Sequence, residues 1–289
     1  MPANRARAFP LLLLLASAWL SNACAALNPP LHGSASAAGV HERIARVPLH
    51  GQPLTLHLAA TGVPPATGVP LVLYASGDGG WFGAAVDMFH TIAAAGYPTV
   101  GLSSRSFLRL ERPREAPLDE TLLATDYRAI LDEARTDLHL QPDTPVILTG
   151  WSRGAAFAVI AAARLTSVTA VDGIIAIGLD DGEDLKVNAA ASDEDDDADG
   201  DDVATASAPR SPFETYSLLR ALDPLRVAVI QATHDGYLPA ARARELFGSD
   251  TGARRLLTVE ARNHRFSGGR DAFQAALLDA LAWTAQGTR

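Results

Sequence analysis

One serine, one histidine and a few carboxylates have the residue types and positions that acyl-transfer chemistry needs. Ser152 lies in a G-x-S-x-G pattern, 150–154, with an apolar, β-branched stretch before it (145–149) and an Ala-rich stretch after it (155–164). Strand, turn and helix in this order are typical of a nucleophile elbow, which lifts a serine hydroxyl off a sheet. The flanking glycines fit, because such a tight turn leaves no room for side chains. We therefore predict that Ser152 is a nucleophile.

A serine nucleophile needs a base, and the base needs an acid that orients it. Around an elbow of this kind the three groups follow in the chain as serine, acid and histidine. Asp235 comes shortly after the predicted strand 227–232, and His264 comes shortly after the predicted strand 256–260. We therefore predict that His264 is the base and Asp235 the acid. Asp180 and Asp181, which follow another predicted strand, remain the alternative acids.

The negative charge of a tetrahedral intermediate needs preorganised N–H donors. One predicted donor is the backbone N–H of Arg153, the residue after the nucleophile. The second is the backbone N–H of Asp78, in the glycine-rich segment 75–81. A carboxylate beside an oxyanion is unfavourable, so we expect the Asp78 side chain to point away. We hypothesise that it points to a cationic part of the substrate.

Short apolar strands alternate with helical patterns along the chain. Helical spacing of apolar residues marks 86–93 and 123–134, and further predicted helices are 155–164, 213–222, 240–247 and 272–285. The predicted strands are 50–59, 69–74, 98–102, 145–149, 174–179, 227–232 and 256–260, and a polar loop is predicted at 103–117. This alternation predicts an α/β fold, a mostly parallel central sheet with helices on both faces. The candidate residues all follow strands, where sites in such sheets lie.

The first 25 residues have the pattern of a secretory signal peptide. Arg5 and Arg7 precede an apolar run, 9–20, and small residues follow it at 23–25. We predict a signal peptide at 1–25, a flexible tether at 26–40, a catalytic domain at 41–289, and a periplasmic or secreted location. Cys24 is the single cysteine. It is either removed with the peptide, which we favour, or lipidated as a membrane anchor; an uncleaved anchor is the lesser alternative.

An acidic, low-complexity segment at 181–212 interrupts the domain. The net charge is −9, and eight acidic residues lie within 193–202, so the rest of the chain is close to neutral. No general basic surface remains for nucleic acid. We predict a disordered insert, because this composition cannot form a packed core. Asp195, Asp197, Asp199 and Gly200 match the first half of a calcium loop, but Ala206 replaces its glutamate. We expect no metal and no cofactor.

Several motifs together resemble the VirJ/AcvB family of bacterial virulence proteins, within the α/β-hydrolase superfamily. The most specific is Ser76-Gly77-Asp78-Gly79-Gly80-Trp81, and the similar stretches span about residues 70–270. The others are 96–102 with Ser104, Arg105 and Phe107, the serine elbow, and Asn263-His264-Arg265-Phe266 followed by Gly268-Gly269. The chain departs from the family at Arg153, where the family more often has Phe, and in its acidic tract.

The resemblance implies an α/β-hydrolase fold with a minimal cap and an exported serine hydrolase. The implied substrate is aminoacyl-phosphatidylglycerol, cut at its aminoacyl ester. Gly77, Trp81 and Arg105 are the candidate substrate-binding residues. Arg105, Arg109, Arg112 and Arg114 lie in the loop after a strand. They suit phosphate or an anionic membrane surface, or form an ordinary solvated loop.

Two rival functions remain open at this point. The first is a general carboxylesterase or lipase with the same mechanism, acting on another small-molecule or lipid ester. The second is a non-catalytic periplasmic adaptor of a secretion system on a hydrolase scaffold. An adaptor has no need of a serine, an acid and a histidine in the catalytic order, which favours an enzyme. The sequence determines neither the substrate nor the oligomeric state.

Overall fold

The strands of the protein are defined by a computed structural model, which describes residues 39–61, 68–110, 118–165, 171–186 and 213–287. Five of the strands, at 71–75, 99–102, 146–151, 171–177 and 226–232, are short, mainly apolar and largely buried, as expected for a sheet covered on both faces. In chain order they are β1 (Val40–Leu49), β2 (Gln52–Thr61), β3 (Leu71–Ala75), β4 (Thr99–Leu102), β5 (Val146–Trp151), β6 (Val171–Ile177), β7 (Gly182–Glu183), β8 (Phe213–Glu214), β9 (Arg226–Ala232) and β10 (Arg254–Val259).

Eight of these strands form one sheet in the order β1-β2-β4-β3-β5-β6-β9-β10. From β4 to β10 every neighbouring pair is parallel. The hairpin of β1 and β2 joins that sheet antiparallel to β4. β7 and β8 form a separate antiparallel ribbon. Parallel neighbours need crossover connections, which are usually helices, so the topology explains the alternation seen in the sequence.

The helices lie on both faces of the sheet. They are α1 (Ala84–Ala94), α2 (Ser104–Arg109), α3 (Glu120–Asp137), α4 (Arg153–Leu165), α5 (Thr215–Arg220), α6 (Ala240–Phe247) and α7 (Arg270–Ala285). Alternate residues of β3 enter different cores: Leu71 and Leu73 join the cluster that includes residues of α2 to α6, whereas Val72 and Tyr74 join residues of α1 and α7. The predicted mostly parallel sheet with helices on both faces is therefore confirmed.

Three segments differ from the sequence-based assignment. β1, at the start of the predicted domain, was not predicted, because this edge strand carries charged residues that hide the apolar pattern of a strand. The two-residue turn that joins β1 to β2, His50–Gly51, has positive φ at both positions, as tight hairpins require. The predicted polar loop contains α2, capped by the Ser103 hydroxyl, which accepts from Ser106 N–H. Residues 181–186, predicted as the start of the disordered insert, are ordered, with Glu183 and Leu185 buried.

The predicted signal peptide, Cys24, nearly all of the predicted tether, and the insert from residue 187 to 212 lie outside the described residues. The described residues, from 39 to 287, belong to one compact unit. Among the helices that the structure describes, none combines the length and the apolar character that crossing a membrane requires.

Candidate active site

Ser152 lies in the sharp turn between β5 and α4. Its φ is 56°, a left-handed conformation that costs a non-glycine residue free energy and is often found at functional sites. A Cβ on Gly150 would lie 2.2 Å from the carbonyl carbon of Gly154, and a Cβ on Gly154 would lie 2.1 Å from Ala75 O. Only glycine fits at either position, so the local geometry is that of the predicted elbow.

Asp235 and His264 are in direct contact. His264 Nδ1 lies 2.7 Å from Asp235 Oδ2, and the carboxylate is fully buried. The same carboxylate accepts from Gln231 Nε2 at 3.1 Å and from Tyr237 N–H at 2.9 Å. A carboxylate held in this way fixes the imidazole ring and keeps the proton on Nδ1, which leaves Nε2 as the acceptor.

The His264 ring lies between two aromatic residues. Trp151 stacks on it with ring centroids 5.6 Å apart, and Tyr237 meets it edge-on at 4.9 Å. On a third side Gly178, with φ of 57°, leaves so little space that a Cβ there would lie 2.7 Å from His264 Cε1. Nε2 is buried and has no hydrogen-bond partner within the part of the chain that the structure describes.

The end of β6 brings the elbow and the histidine together. Ser152 N–H donates to Ile177 O at 2.8 Å, and the next residue, Gly178, contacts the His264 ring. Trp151, which precedes the serine, donates from Nε1 to His264 O at 3.3 Å. Ser152 and the Asp235–His264 pair therefore lie at the same, carboxyl edge of the sheet, linked through the end of β6, although His264 Nε2 makes no hydrogen bond to the Ser152 hydroxyl.

The glycine-rich turn lies on the other side of the serine. A Cβ on Gly77 would lie 3.3 Å from Ser152 Cβ, so the turn approaches the nucleophile closely. Gly77 O accepts from the buried hydroxyl of Ser104 at 2.9 Å, and Ser104 N–H donates to Ser76 Oγ at 3.3 Å. These bonds fix the turn that carries the Asp78 amide.

Arg153, the other predicted oxyanion donor, is the first residue of α4. The first amides of a helix have no acceptor within the helix, which leaves them available to a ligand. The Arg153 side chain ion-pairs with Asp78, with Nε 2.8 Å from Oδ1. Arg153 of this chain is thus a cation that faces Asp78, and the cationic substrate group expected there stays a hypothesis.

The three candidate substrate-binding residues occupy different environments. Gly77 lies against Ser152, as described above. Trp81 packs into the core on the α1 side, stacked on His57 at 4.1 Å and edge-on to Phe89 at 5.0 Å. Arg105 lies over the glycine-rich turn, since a Cβ on Gly80 would lie 3.8 Å from Arg105 Cδ. The contacts of Trp81 are packing contacts, whereas Gly77 and Arg105 border the turn.

Neither the alternative acids nor the remaining arginines make the contact with His264 Nδ1 that Asp235 makes. Burial raises the pKa of Asp180, and the nearby His264 charge opposes that shift. Asp180 Oδ1 accepts from Asp181 N–H at 2.8 Å, whereas the carboxylate on His264 Nδ1 is that of Asp235. Arg109 is exposed on α2. Residues 112 and 114, the other two arginines, lie outside the described residues.

Several contacts around the site were missed from the sequence. Gln231 bonds to the acid, Tyr237 and Gly178 border the histidine, and Glu183 contacts Arg153, with Nε 3.3 Å from Oε2. Tyr237 and Gly178 each lie two residues from a candidate acid, just after the end of a strand, and this position was the available signal. The packing of Gln231 and Glu183 depends on tertiary contacts that have no local pattern.

Comparisons with known proteins agree with this architecture. Residues 70–208 match the family described as "Bacterial virulence protein (VirJ)". No curated protein matches the chain in sequence. The fold is similar to that of the esterase domain of a Rhodothermus marinus protein, with a TM-score of 0.57 and 14% identity, covering 85% of this chain and 99% of that one.

Two further solved structures have comparable similarity. Dienelactone hydrolase from Anabaena variabilis has a TM-score of 0.54 at 18% identity, covering 83% of this chain and 95% of that chain. The thermostable carboxylesterase EstE1, cloned from a metagenomic library, has a TM-score of 0.55 at 18% identity, covering 88% and 92%. At these identities the likeness establishes the fold and no more. The resemblance to VirJ is therefore confirmed over residues 70–208, and the fold is that of an α/β hydrolase.

Proposed function

We propose that this protein is a serine ester hydrolase with Ser152 as nucleophile, His264 as base and Asp235 as orienting acid. The observation that carries the proposal is the 2.7 Å contact between His264 Nδ1 and the buried Asp235 carboxylate. It supports an imidazole that is held through Nδ1, with Nε2 as the nitrogen that faces the nucleophile in the reaction. The positive φ of Ser152 supports an elbow that presents the hydroxyl.

The proposed reaction has two half-reactions. His264 Nε2 accepts the proton of the Ser152 hydroxyl as Oγ attacks the ester carbonyl carbon, and the Asp78 and Arg153 amides hold the oxyanion. His264 then gives the proton to the leaving alcohol, which departs and leaves an acyl-serine. Water, deprotonated by His264, attacks the acyl carbon. Release of the acid returns the proton to Ser152.

For the substrate we propose the aminoacyl ester of aminoacyl-phosphatidylglycerol, reached by an exported protein. This finer proposal rests on the match to the VirJ family over residues 70–208, together with the amino-terminal pattern of a signal peptide. Arg105 adds support, because it lies over the glycine-rich turn beside the nucleophile and is suited to bind phosphate.

The test uses two substrates side by side. Purified protein is incubated with phosphatidylglycerol vesicles that contain lysyl-phosphatidylglycerol, and separately with p-nitrophenyl acetate; free lysine and p-nitrophenol are measured. Ser152→Ala should abolish both activities. Ser249→Ala is the matched control. This serine is exposed in the loop between α6 and β10, at the amino end of β10, whereas Ser152 lies at the carboxyl end of its strand. The control variant should retain the full rate.

The outcomes separate the rival functions. Lysine release that depends on Ser152 supports the whole proposal. Hydrolysis of the aryl ester alone, again dependent on Ser152, rejects the lipid substrate and favours a general carboxylesterase. Folded protein that hydrolyses neither substrate contradicts the serine hydrolase proposal and favours the scaffold adaptor.

A further inference from the structure

Three charged side chains form a buried cluster next to the elbow. Arg153 Nε lies 2.8 Å from Asp78 Oδ1 and 3.3 Å from Glu183 Oε2. The Arg153 and Glu183 side chains are only 10% and 7% exposed, and Asp78 is 40% exposed. Two carboxylates therefore share one guanidinium. A buried charge without a partner is costly, so removing one member of such a cluster changes how firmly the others are held.

Glu183 is anchored independently of this cluster. Its second oxygen, Oε1, accepts from Leu185 N–H at 2.7 Å and from Asp184 N–H at 3.1 Å. The Leu185 side chain is buried, and Glu183 pairs with Phe213 across the two-stranded ribbon of β7 and β8. The carboxylate is thus fixed to a segment that packs in the core, and it presents its remaining oxygen to Arg153.

Arg153 is fixed at the same time to the last residue of this segment. Its Nη1 donates to Lys186 O at 2.9 Å. The guanidinium is therefore bound to both Glu183 and Lys186, in addition to its ion pair with Asp78. Asp78 belongs to the glycine-rich turn, in which Gly77 approaches the Cβ of Ser152. The guanidinium therefore connects the 181–186 segment with the turn that supplies one oxyanion donor, and Arg153 itself supplies the other.

We propose that Glu183 is a positioning residue: through the Arg153 side chain it holds the glycine-rich turn, and with it the Asp78 amide, against the nucleophile elbow. This inference rests on the proposed function, because it concerns the stabilisation of an oxyanion at Ser152. Small displacements of preorganised donors reduce catalysis strongly, since the stabilisation depends on donor geometry. Glu183 touches no reacting atom in this account and acts through Arg153.

Because Glu183 is buried, the strength of its ion pair with Arg153 depends on pH. Burial raises the pKa of Glu183 to about 7, although Arg153 and the Leu185 N–H oppose the shift. The charged groups around it are Arg153 on α4, Asp78 on the glycine-rich turn, its neighbours Asp184 and Lys186, and Glu214 on β8. Below this pKa the carboxyl is neutral and attracts Arg153 less. Above it, the ion pair is complete and the turn is held most firmly.

The test compares Glu183→Gln with wild type across pH. Glutamine has the size of the glutamate and mimics its protonated, uncharged form. We expect the wild-type kcat on p-nitrophenyl acetate to exceed that of Glu183→Gln by about tenfold at pH 8.5, the size of a typical coupling between contacting charged residues. The ratio should approach one at pH 5.5. The ratio removes the pH dependence that the two proteins share.

A second variant shows whether Glu183 acts through Arg153. In an Arg153→Met background the Glu183→Gln change should cost less than twofold at pH 8.5, because the group that transmits the effect is gone. Glu245→Gln, the same substitution in an exposed ion pair on α6, is the matched control and should give a ratio of one at both pH values. Circular dichroism of each variant verifies that it is folded.

The results distinguish failure of this inference from failure of the proposed function. Wild-type protein without esterase activity contradicts the proposed function. Active wild type with a ratio that is the same at pH 5.5 and 8.5 contradicts the positioning role, since a purely structural effect does not follow the charge of Glu183. An undiminished effect of Glu183→Gln in the Arg153→Met background contradicts it as well.

Discussion

Asp235 is held by several hydrogen bonds that do not depend on substrate. Gln231 Nε2 and His264 Nδ1 bind one carboxylate oxygen, and the N–H groups of Tyr237 and Leu238 bind the other. Hydrogen bonds on both oxygens hold a buried carboxylate in one orientation. Asp235 therefore has a fixed position, and the orientation of His264 depends on it.

The first prediction is that Asp235→Asn lowers kcat by about 10³- to 10⁴-fold and leaves the fold intact, because an amide favours the wrong tautomer of the histidine. The measurement is steady-state hydrolysis of p-nitrophenyl acetate. Asp180→Asn is the comparison, since Asp180 is the alternative acid that does not contact Nδ1. Equal losses in the two variants would overturn the assignment of Asp235.

The second prediction concerns the space beside the histidine. Gly178→Ala would place a Cβ 2.7 Å from His264 Cε1, so the ring must move. We expect kcat to fall by about 10²-fold, the typical cost of a displacement of about 1 Å. Gly248→Ala is the matched control: its φ is 79° and a Cβ would contact nothing within 4 Å.

Both glycine variants should lose stability, by about 1 kcal/mol, because alanine is strained at positive φ. Only Gly178→Ala should also have a lower kcat. The two effects are separated by measuring the urea midpoint and kcat for each variant. An active Gly178→Ala protein would contradict the proposed position of the His264 ring in the catalytic state.

At the scale of elements, the glycine-rich turn is positioned by α2, an element that the sequence did not predict. The Ser104 hydroxyl at the start of α2 donates to Gly77 O at 2.9 Å, and its backbone N–H donates to Ser76 Oγ. Both serines are fully buried. The short helix is itself anchored by Phe107, which packs on Tyr127 and Phe157. The glycine-rich turn is thus attached to the core through α2.

The third prediction follows from this attachment. Ser104→Ala removes the bond to Gly77 O, so the turn becomes less well fixed, and we expect kcat to fall about tenfold with little change in KM, as for a loss of stabilisation specific to the transition state. Ser106→Ala, two residues later and exposed, is the control and should keep the wild-type kcat. A fall in both variants would indicate a general loss of α2 instead.

The fourth prediction concerns the stability of the segment that carries Glu183. Burial raises the pKa of Glu183 from its ordinary 4.5 to about 7. Between these pH values the folded protein binds a proton that the unfolded chain has lost, so this residue makes the free energy of unfolding fall as pH rises. Glu183→Gln has no titrating group at this position, so its free energy of unfolding does not show this fall.

We therefore expect wild type to lose about 3 kcal/mol of stability relative to Glu183→Gln between pH 4.5 and 8, and little more above that. Urea unfolding at a series of pH values measures the difference. The Glu245→Gln difference should stay flat over the same range. A wild type that gains stability relative to Glu183→Gln as pH rises would contradict a raised pKa.

At the scale of the whole molecule, the sequence was sufficient for those features that have a local pattern. Apolar strands such as β5 and β9 and the elbow at Ser152 were readable because each depends on neighbouring residues. Asp235 and His264 were found from chain order and strand ends, and they meet in the structure. The edge strand β1 and the ordered 181–186 segment were missed, because their stability comes from pairing and packing with distant residues.

The partner of Asp78 illustrates the same limit. The sequence alone showed that the Asp78 carboxylate beside an oxyanion donor is unfavourable. Its ion pair with Arg153 was not predictable, because it depends on how two turns distant in the chain pack together. The fold itself does not select a substrate, since α/β scaffolds of this kind carry many activities. The proposed ester chemistry is therefore supported by the contact between Asp235 and His264, and the proposed lipid substrate by the match to VirJ over residues 70–208.

The most direct measurement of the central claim is the reaction of the purified protein with a fluorophosphonate probe, followed by peptide mapping. The account predicts one labelled residue, Ser152, with labelling lost in Ser152→Ala and strongly reduced in His264→Ala. His234→Ala, the control, removes a neighbouring exposed histidine and should label like wild type. Folded protein that does not react, or label on a different serine, would contradict an activated Ser152.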